Sequence, residues 1–262
     1  MDPLALRCLG RTGLRVTALG FGTGPLGGAP NDLRFDYTGD GVMRSHEDSL
    51  RRLAADRVDT LVIHDLDLKF HKTESEIARR FHELEGGGGF AALSGLKSSG
   101  AIQAIGAGIN QVGMIPRFLQ RFEIDFFLVA MPYTLLDQPA LDNEMSLCTE
   151  RGVSVVIGAP FCSGILAPGP KGGAWYGYLA PEPGIVEKVK HMEAACARHG
   201  VSLAAAALQF PFGHPAVAAV IPGPESAQHV RTNIALMRET IPPALWGELK
   251  DLNLLRRDAP TP

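Results

Sequence analysis

The chain is 262 residues long and carries 25 Lys and Arg against 28 Asp and Glu, a formal net charge of −3. That balance offers no basic surface for a polyanion, so nucleic acid is not an expected partner. Hydrophobic residues at 45% and charged residues at 20% exclude a disordered, self-repelling chain and leave enough apolar side chains for a sizeable core.

The longest apolar stretches, Phe126–Met131 and Leu203–Leu208, fall far short of the ~18–20 residues that cross a bilayer, so no membrane partner is expected. Met1–Arg7 lacks a basic stretch followed by an apolar run, so no export signal is expected and a cytoplasmic location is the default. Cys8, Cys148, Cys162 and Cys196 are scattered without a Cys-x-x-Cys pair, which argues against a zinc ribbon or disulfide framework and for buried thiols.

The elements begin with a hairpin: Leu4–Leu9, a turn at Gly10-Arg11-Thr12-Gly13, then Leu14–Phe21, apolar enough to continue into a core strand. Val42, Met43, Leu50 and Leu53 fall at helical spacing, which predicts a helix over 40–53 with Asp40 as N-cap. Thr60–Ile63 reads as a strand ending at His64. Residues 74–97 read as helical at both ends, with Gly86–Gly89 as a flexible bend between them.

Strands are then expected at 101–106, 125–131, 153–158 and 216–221, with helices around 114–122, 140–151, 187–199, 227–237 and 244–255. The strands are nearly continuous apolar runs, the pattern of a parallel sheet covered on both faces. Repeated β-then-α units admit either an α/β barrel or a doubly wound sheet. A doubly wound dinucleotide fold needs a glycine fingerprint after its first strand, and Gly20-Phe21-Gly22-Thr23-Gly24-Pro25 is not one. Polar groups instead follow nearly every strand: His64 and Asp65, Asn110, Tyr133, Ser163 and Gly164, and Gly223–Ser226. Chemistry spread over many strand ends favours the barrel.

Two of these strand ends invite an anion. Ile221-Pro222-Gly223-Pro224-Glu225-Ser226 leads into a helix whose first turn offers backbone N–H groups suited to a pyrophosphate, although Ser226 as an ordinary cap explains the segment equally well. Phe161-Cys162-Ser163-Gly164-Ile165-Leu166 is the second. At His64 two readings stay open, an imidazole donating to a substrate oxygen and a buried structural histidine. His64, Asp65, Asp67 and His71 could also be read as metal ligands. Strand alternation would send His64 and Asp65 to opposite sides, so no metal site is expected.

Leu9–Val16, Leu19–Thr23, Phe35-Asp36-Tyr37, Ser45–Leu50, Val62–Asp65 and Ala104–Asn110 resemble the aldo-keto reductase superfamily, in particular its D-threo-aldose dehydrogenase branch, which includes L-fucose dehydrogenase and is similar to pyridoxal 4-dehydrogenase. Tyr133–Gln138, Ser163–Leu166, Cys196–Val201 and Ala206–Pro211 extend the match over nearly the whole chain. The resemblance implies an α/β barrel of TIM type, here a single domain over 1–262, with a nicotinamide cofactor lying across the strand mouth. It implies that His64 is the catalytic histidine, that Asn110 holds the nicotinamide carboxamide, and that Phe161 packs on the ring. It further implies that Ser163, Gly164 and Leu166 line the pyrophosphate, and that Gly223, Glu225, Ser226 and Asn233 surround the adenosine end. Where relatives that prefer NADP place a cation, this chain has Gly223, so NAD is the expected cofactor and NADP the less favoured.

The same resemblance exposes a gap. The family's catalytic group includes an Asp and a Tyr after the second strand and a Lys on the third, and none has a counterpart here. Residues 22–59, 38 positions, hold one recognisable helix, too few for two βα units of ~30 residues each as well. The chain is expected to pass from the first βα turn, near Gly28-Ala29-Pro30, to the segment before the third helix. Tyr37 belongs to that segment and is not assigned catalysis; Lys69 and Lys97 are expected to be solvated. The implied function is oxidation of an aldose at C1 to the lactone, impaired by the missing segment, with a pyridoxal 4-dehydrogenase and a non-catalytic nucleotide-binding remnant as alternatives. Trp175, Tyr176 and Tyr178 could cover a sugar or pyridine ring. An incomplete set of strands predicts open edges beside the first strand and Thr60–Ile63, an association hazard.

Overall fold

The computed structural model describes residues 1–24, 34–169, 175–177 and 179–262. The expectations at Gly28-Ala29-Pro30 and Tyr178 lie outside the described residues. The chain opens with the hairpin β1 (Leu6–Cys8) and β2 (Arg15–Thr17), antiparallel with Leu6 opposite Thr17. Its turn needs left-handed backbone, supplied by Gly10 at φ +57 and Gly13 at φ +78. Gly10 also lies so close to the Asp125 carbonyl that no side chain fits there, and its N–H donates to Ser154 Oγ at 2.7 Å. The hairpin thereby closes the N-terminal end of the sheet.

That sheet has five parallel strands in sequence order: β3 (Thr60–Ile63), β4 (Ala104–Ile109), β5 (Phe126–Val129), β6 (Ser154–Ile157) and β7 (Val217–Val220). Beyond β7 the chain around Leu19 adds a sixth parallel position, with Gly20 N donating to the Val220 carbonyl at 2.8 Å and Val220 N to that of Ala18 at 2.9 Å. Alternate residues divide between two faces. Val62, Ala104, Phe126, Leu128 and Val156 face inward with Leu9, Leu14 and Val16 of the hairpin. Ile63, Ile105, Phe127, Val129, Val155 and Ile157 face outward into the main core with the helices. Burial on both faces is what the continuous apolar runs predict.

The helices are α1 (Gly39–Leu53), α2 (Leu68–His71), α3 (Glu74–Glu85), α4 (Gly89–Ser98), α5 (Met114–Leu119), α6 (Glu144–Arg151), α7 (Pro183–Arg198), α8 (Leu203–Gln209), α9 (Ala227–Arg238) and α10 (Pro243–Asp251). Among the described residues between Gly24 and Thr60, α1 is the one regular element, and no strand pairs with the outer edge of β3. The fold is an α/β barrel in which the second and third βα units are absent among the described residues, as the sequence predicts. No helix among the described residues is long and apolar enough to cross a membrane.

Several boundaries differ from expectation for local reasons. Thr38, not Asp40, caps α1, its hydroxyl accepting from Gly41 N. The strand expected at 101–106 runs over Ala104–Ile109, because Ile102 N and Gln103 N are held by the carbonyls of Leu96 and Asp59. The helix expected at 140–151 splits into a 3-10 turn at Pro139–Asp142 and α6, broken at Asn143 with φ −157. Gly86–Gly89 is a packed bend: Gly89 abuts the Tyr37 carbonyl and Gly39 N donates to the Gly87 carbonyl at 2.9 Å. α2 and α8 escaped the sequence reading. Cys8 is exposed, and the other three cysteines are buried.

Candidate functional site at the strand mouth

Because the strands are parallel, every strand-end loop opens on the same end of the sheet. His64 follows β3 directly. It lies two residues after the inward-facing Val62 and returns to that face: a Cβ placed on Gly108 of β4 would lie 3.5 Å from His64 Cδ2 and 3.6 Å from Val62 Cγ1. The side chain is 73% exposed, so the buried structural reading of this histidine is excluded. Alternation stops after His64, since Asp65 adopts φ +54. The expected separation of His64 from Asp65 therefore fails, and Asp65 Oδ2 sits 3.5 Å from His64 Nε2.

The turn after β3 is stitched to the turn after β4. Asn110 Nδ2 donates to Asp65 Oδ1 at 3.0 Å and to Asp67 Oδ2 at 2.9 Å, and Asn110 N donates to Asp67 Oδ2 at 3.2 Å. Leu68 N donates to Gln111 Oε1 at 3.1 Å. Asp67 is fully buried and caps α2, accepting from Lys69 N at 3.0 Å. A buried carboxylate is tolerated when it accepts several N–H bonds of this kind. His64 and Asn110, assigned to one site by sequence, thus stand on adjacent strands and share a network.

Beneath them lies Tyr37. Its hydroxyl donates to the His64 carbonyl at 2.7 Å and contacts His71 Nε2 at 3.2 Å, with the Phe35 ring stacked on the phenol. Burial and then the neighbouring Asp65 charge hold the phenol above its ordinary pKa. A tyrosine serving as acid and base needs the opposite shift. Tyr37 is a support of the His64 turn.

At the end of β6, Phe161 packs half-buried against the core, and Cys162, Ser163 and Gly164 run at φ +49, +61 and +111. The turn holds itself closed, with Cys162 N donating to the Ala159 carbonyl at 3.0 Å and Gly164 N to that of Phe161 at 2.9 Å. Cys162 itself is buried, its thiol donating to Thr134 Oγ1 at 3.1 Å, and burial pushes it up to about 12. Leu166 is fully buried, so its side chain belongs to the core and it can meet a ligand only through backbone. After β7, Gly223, Glu225 and Ser226 are exposed and Asn233 is buried on α9. Ser226 is the N-cap that sequence offered as the plain alternative, with Oγ accepting from His229 N at 3.1 Å; Glu225 N donates to His229 Nδ1 at 3.3 Å.

Other residues singled out by sequence fall elsewhere. Tyr133 is fully buried with no partner for its hydroxyl among the described residues, so it does not face the mouth. Lys97 is not simply solvated: its ammonium binds Asp125 at 2.6 Å, joining α4 to the residue that leads into β5. Lys69 stands near the Phe70 ring, 5.6 Å from its centroid. Trp175 is 55% exposed, whereas the Tyr176 hydroxyl donates to Asp137 Oδ2 at 2.6 Å. Sequence reading missed Asp67 and Gln111 as partners of this site; two acidic residues in His64-Asp65-Leu66-Asp67 were the available signal.

A model described as the aldo/keto reductase family matches residues 15–254. The pyridoxal 4-dehydrogenase of Microbacterium luteolum is 36% identical over 222 residues, which cover 84% of this chain and 64% of that protein. The D-threo-aldose 1-dehydrogenase of Pseudomonas sp is 32% identical over 238 residues, 89% of this chain and 67% of that protein. The chain thus spans about two thirds of the length of each. Among solved structures, the aldo-keto reductase AKR11C1 of Bacillus halodurans in its holo form superposes with a TM-score of 0.69 at 22% identity, covering 97% of this chain and 96% of that one. That likeness speaks for the fold.

Proposed function

Given that the chain belongs to the aldo/keto reductase family, we propose that residues 1–262 form a single barrel domain that binds NAD across the strand mouth and oxidises an aldose at C1 to the lactone, with turnover impaired by the two missing βα units. The observation that carries this reading is His64 on the inward face, exposed at the mouth, with Asn110 beside it on the next strand.

The donor and acceptor set fits a nicotinamide nucleotide. Asn110 Oδ1 has no partner among the described residues and can meet a carboxamide, with Phe161 as the candidate ring beside the nicotinamide. Among the described residues the Ala227 and Gln228 N–H groups at the start of α9 have no partner and suit the phosphates, and the left-handed turn Cys162–Gly164 stands at the end of the neighbouring strand. No Lys or Arg lies within Gly223–Ser226, and an exposed carboxylate at Glu225 repels a ribose 2′-phosphate while accepting from a ribose diol. His229 is engaged through Nδ1 with the loop's own backbone. These features favour NAD over NADP.

A bound nicotinamide supplies the hydride acceptor. The chain's own part is to orient the substrate: His64 donates to the oxygen on the reacting carbon and Trp175 offers an exposed ring for stacking. Among the described residues no group is placed to take the proton. Tyr37 is buried and committed to the His64 carbonyl, and Lys97 is paired with Asp125. A positioned base contributes ~10²- to 10⁴-fold, so slow turnover follows.

Titration of the full chain with NADH and NADPH by ligand fluorescence tests binding; the expected result is NADH tighter, weakened by His64→Ala or Asn110→Ala. Binding of neither nucleotide, or NADPH tighter, overturns the reading. A turnover assay with L-fucose, D-arabinose and pyridoxal follows, with a rate below ~1 per second expected, the lower end of ordinary enzymes. Pyridoxal is the second substrate reading, favoured by the 36% identity to a pyridoxal 4-dehydrogenase. NADH binding without any turnover would favour a nucleotide-binding remnant.

A further inference from the structure

The amide of Asn110 has no freedom in which way it points. Both hydrogens of Nδ2 are committed to carboxylates, Asp65 Oδ1 at 3.0 Å and Asp67 Oδ2 at 2.9 Å, and turning the group over would press its oxygen against two negative charges. Oδ1 is therefore the atom left for a ligand. Asp67 is pinned in turn, since Oδ2 also accepts from Asn110 N and Oδ1 accepts from Lys69 N. Asp65 is half-buried in a left-handed conformation and reaches both sides of the site, with Oδ2 3.5 Å from His64 Nε2.

We infer that Asp65, with Asp67 behind it, is a positioning residue that locks Asn110 as an acceptor and so selects ligands presenting an N–H donor at that point. The inference rests on the nicotinamide reading and deepens it: the carboxamide meets Asn110 through its NH2. A ligand that carries a methyl ketone there instead leaves Asn110 Oδ1 unpaired. Loss of such a bond in a site built for it costs about tenfold in affinity. The lock matters here because β3 has no neighbour on its outer edge among the described residues, so β4 is the one strand beside the turn carrying His64 and Asp65, which the Tyr37 hydroxyl supports from below.

The test is a pair of fluorescence titrations on the full chain, with NADH and with the reduced 3-acetylpyridine analogue. The unaltered protein is expected to favour NADH by about tenfold. Asp65→Asn, which tolerates the left-handed backbone, frees Asn110 to turn over and should narrow that preference to about twofold. Asp65→Gly keeps the backbone without a carboxylate and should narrow it likewise, and thermal unfolding checks that both variants are folded. A merely structural role for Asp65 would weaken both ligands equally and leave the ratio unchanged, which overturns the inference and spares the nicotinamide reading. An unaltered protein that binds neither ligand overturns both, and one that binds both equally overturns the inference alone.

Discussion

The two sides of this barrel are built from similar apolar strands and end up in different environments. β4, between two neighbours, is buried at all six positions, and β5 at three of its four. β3 has the same kind of sequence, Thr-Leu-Val-Ile, but only Ile63 is buried. Its companion α1 buries just Gly41 and His46 while Met43 and Leu53 stand 38% and 64% exposed. Apolar character thus qualifies a strand for a parallel sheet, and its neighbours decide how much of that character is buried. The proposed chemistry straddles the boundary, with His64 on the open side and the proposed phosphate loops on the closed one.

Supplying what the open side lacks should have the largest effect. Grafting the second and third βα units of a D-threo-aldose 1-dehydrogenase between Gly24 and Arg34 restores partners for β3 and the missing acid-base groups. Aldose turnover should rise by ~10²- to 10⁴-fold over the present chain. A graft that folds, binds NADH and gains nothing would show that the gap is not what limits turnover.

Stability should divide along the same line. Phe127 of β5 is fully buried among Phe118 and the helical core, so Phe127→Ala should cost ~3–5 kcal/mol in urea unfolding. Leu61→Ala on β3, half-buried, should cost under about 2 kcal/mol. Equal losses would mean that β3 is supported in a way its open edge does not reveal. That same edge should also drive concentration-dependent association in light scattering, lessened by Leu53→Glu and Thr60→Lys.

How much of this was legible in the sequence follows from which interactions are local. The strands and the hairpin could be read because they rest on apolar periodicity, and the gap after the first strand because the resemblance implies two βα units that the length there cannot hold. His64 and Asn110 were legible by position, one residue past a strand in each case. Their linkage was not, because Asp65 leaves the strand alternation and only its left-handed backbone brings it to both partners. Asp67 likewise entered only as a discounted metal ligand, because the bond from Asn110 that defines its role comes from the next strand. α8 was missed because Leu203–Gln209 is apolar on every side and buried throughout, so no polar face marks its period.

A smaller contrast separates ion pairs on the two sides. Lys97 holds both oxygens of Asp125 at 2.6–2.7 Å while Asp125 Oδ2 also accepts from Ile105 N at 2.8 Å. Lys97→Met should cost ~1–2 kcal/mol, reduced by the partial exposure of the ammonium. The Arg51–Asp48 pair on α1 is mostly solvated, and Arg51→Ala should stay within about 0.5 kcal/mol. Urea unfolding of the two variants side by side reads the difference.

Glu144 gives the finest test of how closed the closed side is. Its Oε1 accepts from Gly113 N at 2.7 Å and Ile115 N at 3.3 Å, while Oε2 is buried with no partner among the described residues. Burial raises the carboxyl above its ordinary value of 4.5, against the pull of those N–H groups at the start of α5. A carboxyl with a raised native pKa binds its proton more tightly folded than unfolded. Its stabilising contribution is therefore present below 4.5 and is lost as pH climbs from there through the raised native value. Glu144→Gln keeps an acceptor oxygen and removes the titration. Whatever its offset at about pH 4, its stability relative to the unaltered protein should improve between there and about pH 7. A gap in urea midpoints that stays flat across that range would mean water reaches Oε2, and that this end of the barrel is looser than its buried strands imply.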